Sequence, residues 1–328
     1  MRVFRGFQGQ AHARAVGTLP AHCALTIGNF DGVHRGHQAM LALLTNEARH
    51  RGLPSCVLTF EPHPRDHFAR LAGQPEAAPA RIATLRDKLA ELERCGIDQV
   101  VVQRFDARLA GLSPQAFVDE VLLAGLGARV VLVGDDFNYG ARRAGNYATL
   151  DAAGAVGGFD VARMLSYEVH GLRVSSSAVR EALAAGNMVR AAELLGRPYS
   201  ISGHAIHGAK LGRQLGFRTL NLRFGHPKPA TMGIFVVQVH GLGPAGAAPV
   251  PGVASLGVRP TVEEAGRVLL EVHCLKWPEA LGIDGGYGRC LRVELLHKLH
   301  DELKYESLEA LREGIARDTA DAQRWFAR

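Results

Sequence analysis

Apolar positions follow two different rhythms along the 328-residue chain. In the first half, short runs that are apolar almost throughout (24–27, 55–60, 99–105, 129–134 and 161–165) predict strands. Longer mixed stretches between them, 38–51, 82–95 and 114–124, recur at helical spacing. The last is punctuated at both ends, with Ser113 as N-cap, Pro114 at the first helical position and Gly125 just beyond. Strands that are apolar on both faces need cover on both, so this half predicts an α/β doubly wound parallel sheet. After a helical tail over 177–195 the rhythm changes. Runs at 201–207, 234–240, 253–256, 268–275 and 291–296 are separated by Pro, Gly and Asp clusters. Leu270-Glu-Val-His-Cys-Leu275 alternates cleanly, as an antiparallel β-barrel strand does. Leu308, Leu311, Ile315, Ala322 and Phe326 then predict a terminal helix capped by Ser307. The division expected is a first domain at 1–186, a linker at 187–198 and a barrel domain at 199–328.

The length suits about two domains, and 47% hydrophobic with 21% charged residues supports a sizeable core. No apolar run approaches the roughly 18 residues of a membrane span, and the first 20 residues lack a signal-peptide core. A cytoplasmic protein with no membrane partner is expected. The five cysteines are scattered without a Cys-x-x-Cys pair, which argues against a disulfide framework or zinc site. Net charge is +6 and evenly spread: residues 1–186 carry 20 Lys/Arg against 18 Asp/Glu, residues 187–328 18 against 14. Without a basic run interleaved with aromatics, nucleic acid is not an expected partner. A mild positive excess suits small anions such as nucleotides.

The chemistry concentrates in Gly28-Asn-Phe-Asp-Gly-Val-His-Arg-Gly-His37, between a predicted strand and a predicted helix. Helix amides and the positive end of the macrodipole converge there, and His34 and His37 join them. This predicts a nucleotide-phosphate site without the phosphate-loop lysine, since Gly-x4-Gly-Lys-Ser/Thr is absent from the chain. A Gly-x-Gly-x-x-Gly match at Gly241–Gly246 leads into Ala-Ala-Pro-Val-Pro, which cannot open a helix, and reads as a loop. Two more polar segments, 61–67 and 134–146, follow predicted strands, where ligands of open α/β sheets bind.

The Gly-x-Phe-Asp-Gly-x-His-x-Gly-His pattern resembles the His-x-Gly-His signature of the nucleotidyltransferase superfamily. In its extended form it resembles the bifunctional bacterial riboflavin kinase/FMN adenylyltransferases, or FAD synthetases. Three further blocks match in order: Thr59-Phe-Glu-Pro-His-Pro64, Val133-Gly-Asp-Asp-Phe-Asn-Tyr-Gly140 with Arg143 and Gly145, and Arg173-Val-Ser-Ser-Ser-Ala-Val-Arg180. The resemblance implies that Gly28, His34 and His37 hold the ATP phosphates, the two histidines as catalytic residues, with Asn29, Phe30, Asp31 and Gly36 as further cofactor-binding residues of the same turn. It implies that Ser175–Ser177 and Arg180 close over the β- and γ-phosphates, Arg180 as a catalytic residue and Arg173 as a further cofactor-binding residue, with Ser177 where the family often has threonine. Asp136 and Phe137 would line the nucleotide and flavin side. Glu61 and His63 would face the flavin phosphate, although His63 between two prolines also reads as a rigid turn.

The second half resembles the riboflavin kinase module through Gly203 to Asn221, a glycine-spaced basic loop containing Gly208, Lys210, Gly212 and Arg213. The family's Pro-Thr-Ala-Asn stands here as Arg218-Thr219-Leu220-Asn221. Thr219 and Asn221 would hold Mg²⁺ and ATP phosphate, Glu271 would be the general base, and Arg292 would belong to the closing flap. The Val253–Thr261 block also matches. The function expected is ATP-dependent phosphorylation of riboflavin to FMN, then adenylylation to FAD with release of pyrophosphate. FMN and FAD would be product ligands. An adenylyltransferase whose second domain only binds flavin is the alternative, because Arg218 gives up proline's rigidity and Leu220 adds bulk. A non-catalytic flavin- or nucleotide-binding regulator is a third reading, disfavoured by the paired phosphate clamp. Oligomeric state is left open.

Overall fold

The structure, a computed structural model, describes residues 1–328 except 166, 170–171, 208–216, 227, 259–267 and 283–284. It divides into two compact units: Met1–Pro79 with Lys88–Val174, and Ala80–Asp87 with Ser175–Arg328.

The first unit is built on six parallel strands: β1 (Arg2–Arg5), β2 (Cys23–Ile27), β3 (Ser55–Phe60), β4 (Gln99–Gln103), β5 (Ala128–Gly134) and β6 (Asp160–Met164). Their order is β1-β4-β3-β2-β5-β6. Alternate residues of the same strands feed two cores. Leu25, Cys56, Leu58, Val101 and Val131 join one, while Ala24, Val57, Val100, Val130 and Leu132 join the other. That two-sided burial explains the unbroken apolar runs. The chain advances from β2 through β3 to β4 on one side, then returns to place β5 on the other. The carboxyl end of β2 is therefore the topological switch point, where open α/β sheets bind ligands.

The expected helices are present as α2 (Arg35–His50), α4 (Leu85–Arg94) and α6 (Pro114–Ala116), the last continued by a π-helical stretch, Phe117–Gly125. In that stretch Phe117, Val118, Val121 and Leu122 are all buried. Four elements escape the periodicity. Strand β1 is four residues long with Arg at both ends. Helix α1 (Phe7–Ala15) buries Gln10, whose amide donates to Gln99 Oε1 at 2.5 Å. Helix α3 (Pro64–Leu71) begins at the second of two closely spaced prolines, and α7 (Tyr147–Gly157) is largely Ala and Gly, so neither shows an apolar stripe. Helix α5 (Ala107–Ala110) and the short antiparallel pair β7 (Glu168–Val169) and β8 (Leu172–Arg173) complete the unit.

The second unit opens with α8 (Ser176–Ala184) and α9 (Met188–Leu195). The expected single tail is thus two helices. Gly186 at φ 69° breaks it, and the Asn187 side chain caps the new start by accepting from the Arg190 amide. Six antiparallel strands follow: β9 (Tyr199–His204), β10 (Thr219–Arg223), β11 (Gly233–His240), β12 (Val250–Val258), β13 (Val268–Cys274) and β14 (Cys290–His300). Their order is β10-β13-β12-β11-β14-β9. Beyond β9, the Ile206 amide donates to the Asn221 carbonyl on β10 at 2.8 Å. The sheet therefore curls until its two edges approach, the closure that removes an exposed edge. The Gly241–Gly246 segment lies in the turn between β11 and β12, as expected for a loop.

The final helix, α10 (Leu308–Phe326), is capped by the Ser307 hydroxyl, which accepts from the Ala310 amide at 3.1 Å. Ala322 on this helix clusters with Val236 and Val253 of the sheet. At the rim, His300 Nε2 lies 2.8 Å from Asp318 Oδ1, and its Nδ1 lies 2.6 Å from the Asp301 carbonyl. Burial works against the charged ring, but these bonds outweigh it and the pKa is raised. A raised imidazole pKa stabilises the fold fully below the ordinary value, and the gain disappears as pH rises through the folded value. The melting temperature is accordingly expected to fall between pH 6 and pH 8, and His300→Gln to flatten that fall; calorimetry across the interval checks it.

Candidate active sites

The glycine–histidine turn occupies the carboxyl end of β2, at the switch point. It is tightly wound: Phe30 (φ 47°), Gly32 (φ 84°) and Val33 (φ 40°) all adopt positive φ. A buried β-branched residue in that region is strained, a cost that proteins accept chiefly where function needs the conformation. The His34 side chain then caps α2, its Nδ1 accepting from the His37 amide at 3.3 Å. That cap starts the helix at Arg35, three residues earlier than its apolar pattern indicates.

Gly36 sits closely against its neighbours: a Cβ there would lie 3.3 Å from the His34 ring and 3.4 Å from the Val174 carbonyl. The two imidazoles stack with centroids 3.6 Å apart and planes 14° off parallel, and Phe30 leans on His37 at 4.9 Å. Burial, then the charges of His34 and Lys88, hold the His37 pKa well below the ordinary imidazole value. His37 is therefore neutral at pH 7 and can donate one N–H. Its Nδ1 and Asn29 Oδ1 are buried without hydrogen-bond partners among the described residues. Orphaned polar atoms in a strained turn at a helix N-terminus fit a polyanionic ligand.

Other predicted residues of this half lie nearby in the sheet order or further along the chain. Glu61 follows β3, the neighbour of β2. His63 caps α3, its Nδ1 accepting from the Arg65 amide at 3.1 Å, so the segment between the prolines is both a turn and a helix start. Asp136 and Phe137 follow β5, the other neighbour of β2. Arg173 reaches back to Asp135 and Asp136, 3.5 Å from each. Phe137 stacks on Tyr139 at 5.6 Å, and Gly145 is needed there because a Cβ would meet the Tyr139 ring at 2.6 Å. Asp31 is buried within the turn.

Sequence reasoning missed one group. Lys88 on α4 is 1% exposed, its Nζ donating to Thr59 Oγ1 at 3.3 Å and lying 4.0 Å from Glu61 Oε2. The available signal was a lysine on the Leu85, Leu89, Leu92 face of a helix, where an apolar residue is expected.

In the second unit Ser175 is the N-cap of α8, accepting from the Ala178 amide at 3.2 Å, with Ser176 and Ser177 in its first turn. Arg180 Nε donates to the Ala80 carbonyl at 2.6 Å.

The kinase-like residues gather on two neighbouring strands. Asn221 of β10 stands directly opposite Glu271 of β13, and Thr219 opposite His273. Strand alternation puts Thr219 and Asn221 on one face and fully buried Leu220 on the other. The bulk of Leu220 therefore goes into the core on the face opposite Thr219 and Asn221, of which Asn221 is itself buried at 2% exposure. Arg218 makes two contacts of its own. Its guanidinium lies 4.6 Å over the Trp277 ring and donates to the Gly282 carbonyl at 3.2 Å, while Trp277 Nε1 donates to the same oxygen. Arg292 stands apart on β14, paired with Glu294 at 2.5 Å. Gly208, Lys210, Gly212 and Arg213 lie outside the described residues, as do residues 259–261 of the Val253–Thr261 block. The loop is flanked by His207, stacked on Tyr287 at 3.7 Å, and by Phe217 against His273 at 5.2 Å.

No described helix is long and apolar enough to cross a membrane. The FAD synthetase family model matches residues 18–178 and the riboflavin kinase model residues 195–326. The bifunctional riboflavin kinase/FMN adenylyltransferase of Escherichia coli K12 is 43% identical, the match covering 99% of this chain and 98% of that one. The Pseudomonas fluorescens protein of the same description is 45% identical, over 93% and 94% of the two chains. In fold, the chain resembles the crystal structure of a macrolide-efflux protein from Streptococcus pneumoniae, with TM-score 0.73 at 22% identity and 98% of each chain covered. With two matching family models in order and this identity over nearly its whole length, the chain belongs to the bifunctional riboflavin kinase/FMN adenylyltransferase family.

Proposed function

We propose that this chain converts riboflavin to FAD in two steps, each supported by one of the residue groups described above. The observation that carries the reading is the stacked His34–His37 pair in a strained turn at the switch point, in a chain of this family. In the adenylylation step, a phosphate oxygen of FMN attacks the α-phosphorus of ATP. The bond to the bridging oxygen breaks and pyrophosphate leaves with the electron pair. Gly28, Asn29, Phe30, Asp31 and Gly36 shape the cradle. The His34 and His37 imidazoles and the α2 amides meet the charge that builds on the phosphoryl oxygens. Ser176, Ser177, Arg173 and Arg180 serve the outer phosphates, Asp136 and Phe137 the nucleotide and flavin, and Glu61 and His63 the flavin phosphate.

In the kinase step Glu271 takes the proton of the primary ribityl hydroxyl as its oxygen attacks the γ-phosphorus, and ADP departs. The hydroxyl and amide oxygens of Thr219 and Asn221 are donors of the kind Mg²⁺ accepts. Bound there with ATP, the ion supplies neutralisation of phosphate charge. Gly208, Lys210, Gly212, Arg213 and Arg292 complete this reading as ATP and flavin contacts. The adenylyltransferase domain is taken as 1–186, the linker as 187–198 and the kinase domain as 199–328, acting in the cytoplasm on small molecules without nucleic acid or membrane.

The test is direct. Incubation with riboflavin, ATP and Mg²⁺, followed by separation of the flavins, is expected to yield FMN and then FAD. Chelation of the divalent ion is expected to stop both, and restored Mg²⁺ to recover them. FAD made from supplied FMN but never from riboflavin would favour the reading with a flavin-binding second domain.

A further inference from the structure

We propose that the Lys88 ammonium is a positioning cation for adenylyl transfer, fixing the floor of the Gly28–His37 turn and offsetting the phosphate charge gathered there. The inference rests on the adenylyltransferase reading above. Nothing in the motifs assigns a role to this lysine, which lies 51 positions beyond His37 on a helix that also buries Asp87, Glu91 and Leu92.

Three observations support it. The first is a relay: Lys88 Nζ donates to Thr59 Oγ1 at 3.3 Å, and that hydroxyl donates to the Asn29 carbonyl at 3.2 Å. The ammonium is thereby tied to the backbone of the turn whose Asn29 and His37 carry orphaned polar atoms. The second is burial. At 1% exposure the charge is removed from water, which is unfavourable unless something in the interior uses it. A neutral side chain of equal length would fill the same space without that cost. The third is its reach: its field is felt at His37, where it adds to burial and His34 in keeping the ring neutral. A fixed cation beneath a site where FMN phosphate must approach ATP lowers the repulsion between two anions. In a water-excluded setting such a charge acts more strongly than at the surface. Glu61 Oε2 lies 4.0 Å from Nζ, so the lysine is also tied to the segment that follows β3.

The experiment compares Lys88→Met, which keeps the shape and removes the charge, with Lys88→Arg, which does the reverse. The two reactions of the intact chain are measured separately, FMN to FAD and riboflavin to FMN, together with melting temperature. Lys88→Met is expected to lower kcat for FAD formation at least tenfold, to leave riboflavin phosphorylation unchanged, and to melt no lower than the parent. Lys88→Arg is expected to be faster than Lys88→Met. A Met variant at the parent rate overturns the proposal. So does an Arg variant no faster than Met, or a loss of FAD formation that follows a lowered melting temperature, since those outcomes mean packing alone. His37→Ala run in parallel separates the two levels. If it too makes FAD normally, the site reading fails; if it is inactive while Lys88→Met is not, only the lysine inference falls.

Discussion

His37→Ala is expected to make FMN accumulate from riboflavin and ATP while FAD formation falls by about 10²–10³, the usual effect of deleting one pre-positioned donor. Two features of the turn set that size. The ring is half-buried and neutral, so it can donate an N–H without carrying a charge of its own. It is also held by stacking on His34 at 3.6 Å and by Phe30 at 4.9 Å, so little reorganisation accompanies the reaction. Because burial and the neighbouring charges push its pKa well below the ordinary value, this ring should not protonate as pH falls from 7 to 6. An acid limb appearing in that interval would have to come from another group. Separation of flavins after a timed incubation reads the result, and a variant that still makes FAD at the parent rate would falsify the assignment.

Glu271→Gln is the complementary variant. Riboflavin phosphorylation is expected to fall by about 10²–10⁴, the range general-base removal usually produces, whereas FMN supplied directly should still become FAD. The placement of Glu271 makes the substitution clean. It sits mid-strand on β13, between Asn221 of β10 and Ser255 of β12, and glutamine keeps its length and hydrogen-bonding capacity there. Normal phosphorylation by the Gln variant would remove Glu271 from the base role and return it to an ordinary strand carboxylate.

Much of the first unit could be read directly because its strands are covered on both faces. Cys23–Ile27 is buried at all five positions, and such a run cannot be mistaken for a half-exposed strand. The glycine–histidine turn was equally readable, since its parts lie within ten residues. Two of the elements that escaped have distant partners. Helix α1 buries Gln10 against Gln99, a polar contact invisible to hydrophobic periodicity. Strand β1 exists through parallel pairing with β4, nearly a hundred positions away. Residues 177–195 looked like one helix because both pieces bury apolar residues at helical spacing. Gly186 at positive φ and the Asn187 cap divide them. At the kinase-like residues, Leu220 looked like intruding bulk until strand alternation turned it into the core, away from Thr219 and Asn221.

The amino-acid order alone settled the two rhythms, a parallel α/β half and an antiparallel half, and the local chemistry of the turn between β2 and α2. These depend on interactions within a turn or a strand, which the periods of 3.6 and 2 record directly. Tertiary structure decided that the turn stands at the switch point, that Asn221 pairs opposite Glu271, and that Lys88 reaches Thr59, which in turn bonds the Asn29 carbonyl. Strand order and register are properties of the whole packed core, and a side chain tens of positions away meets its partner only once that core has formed.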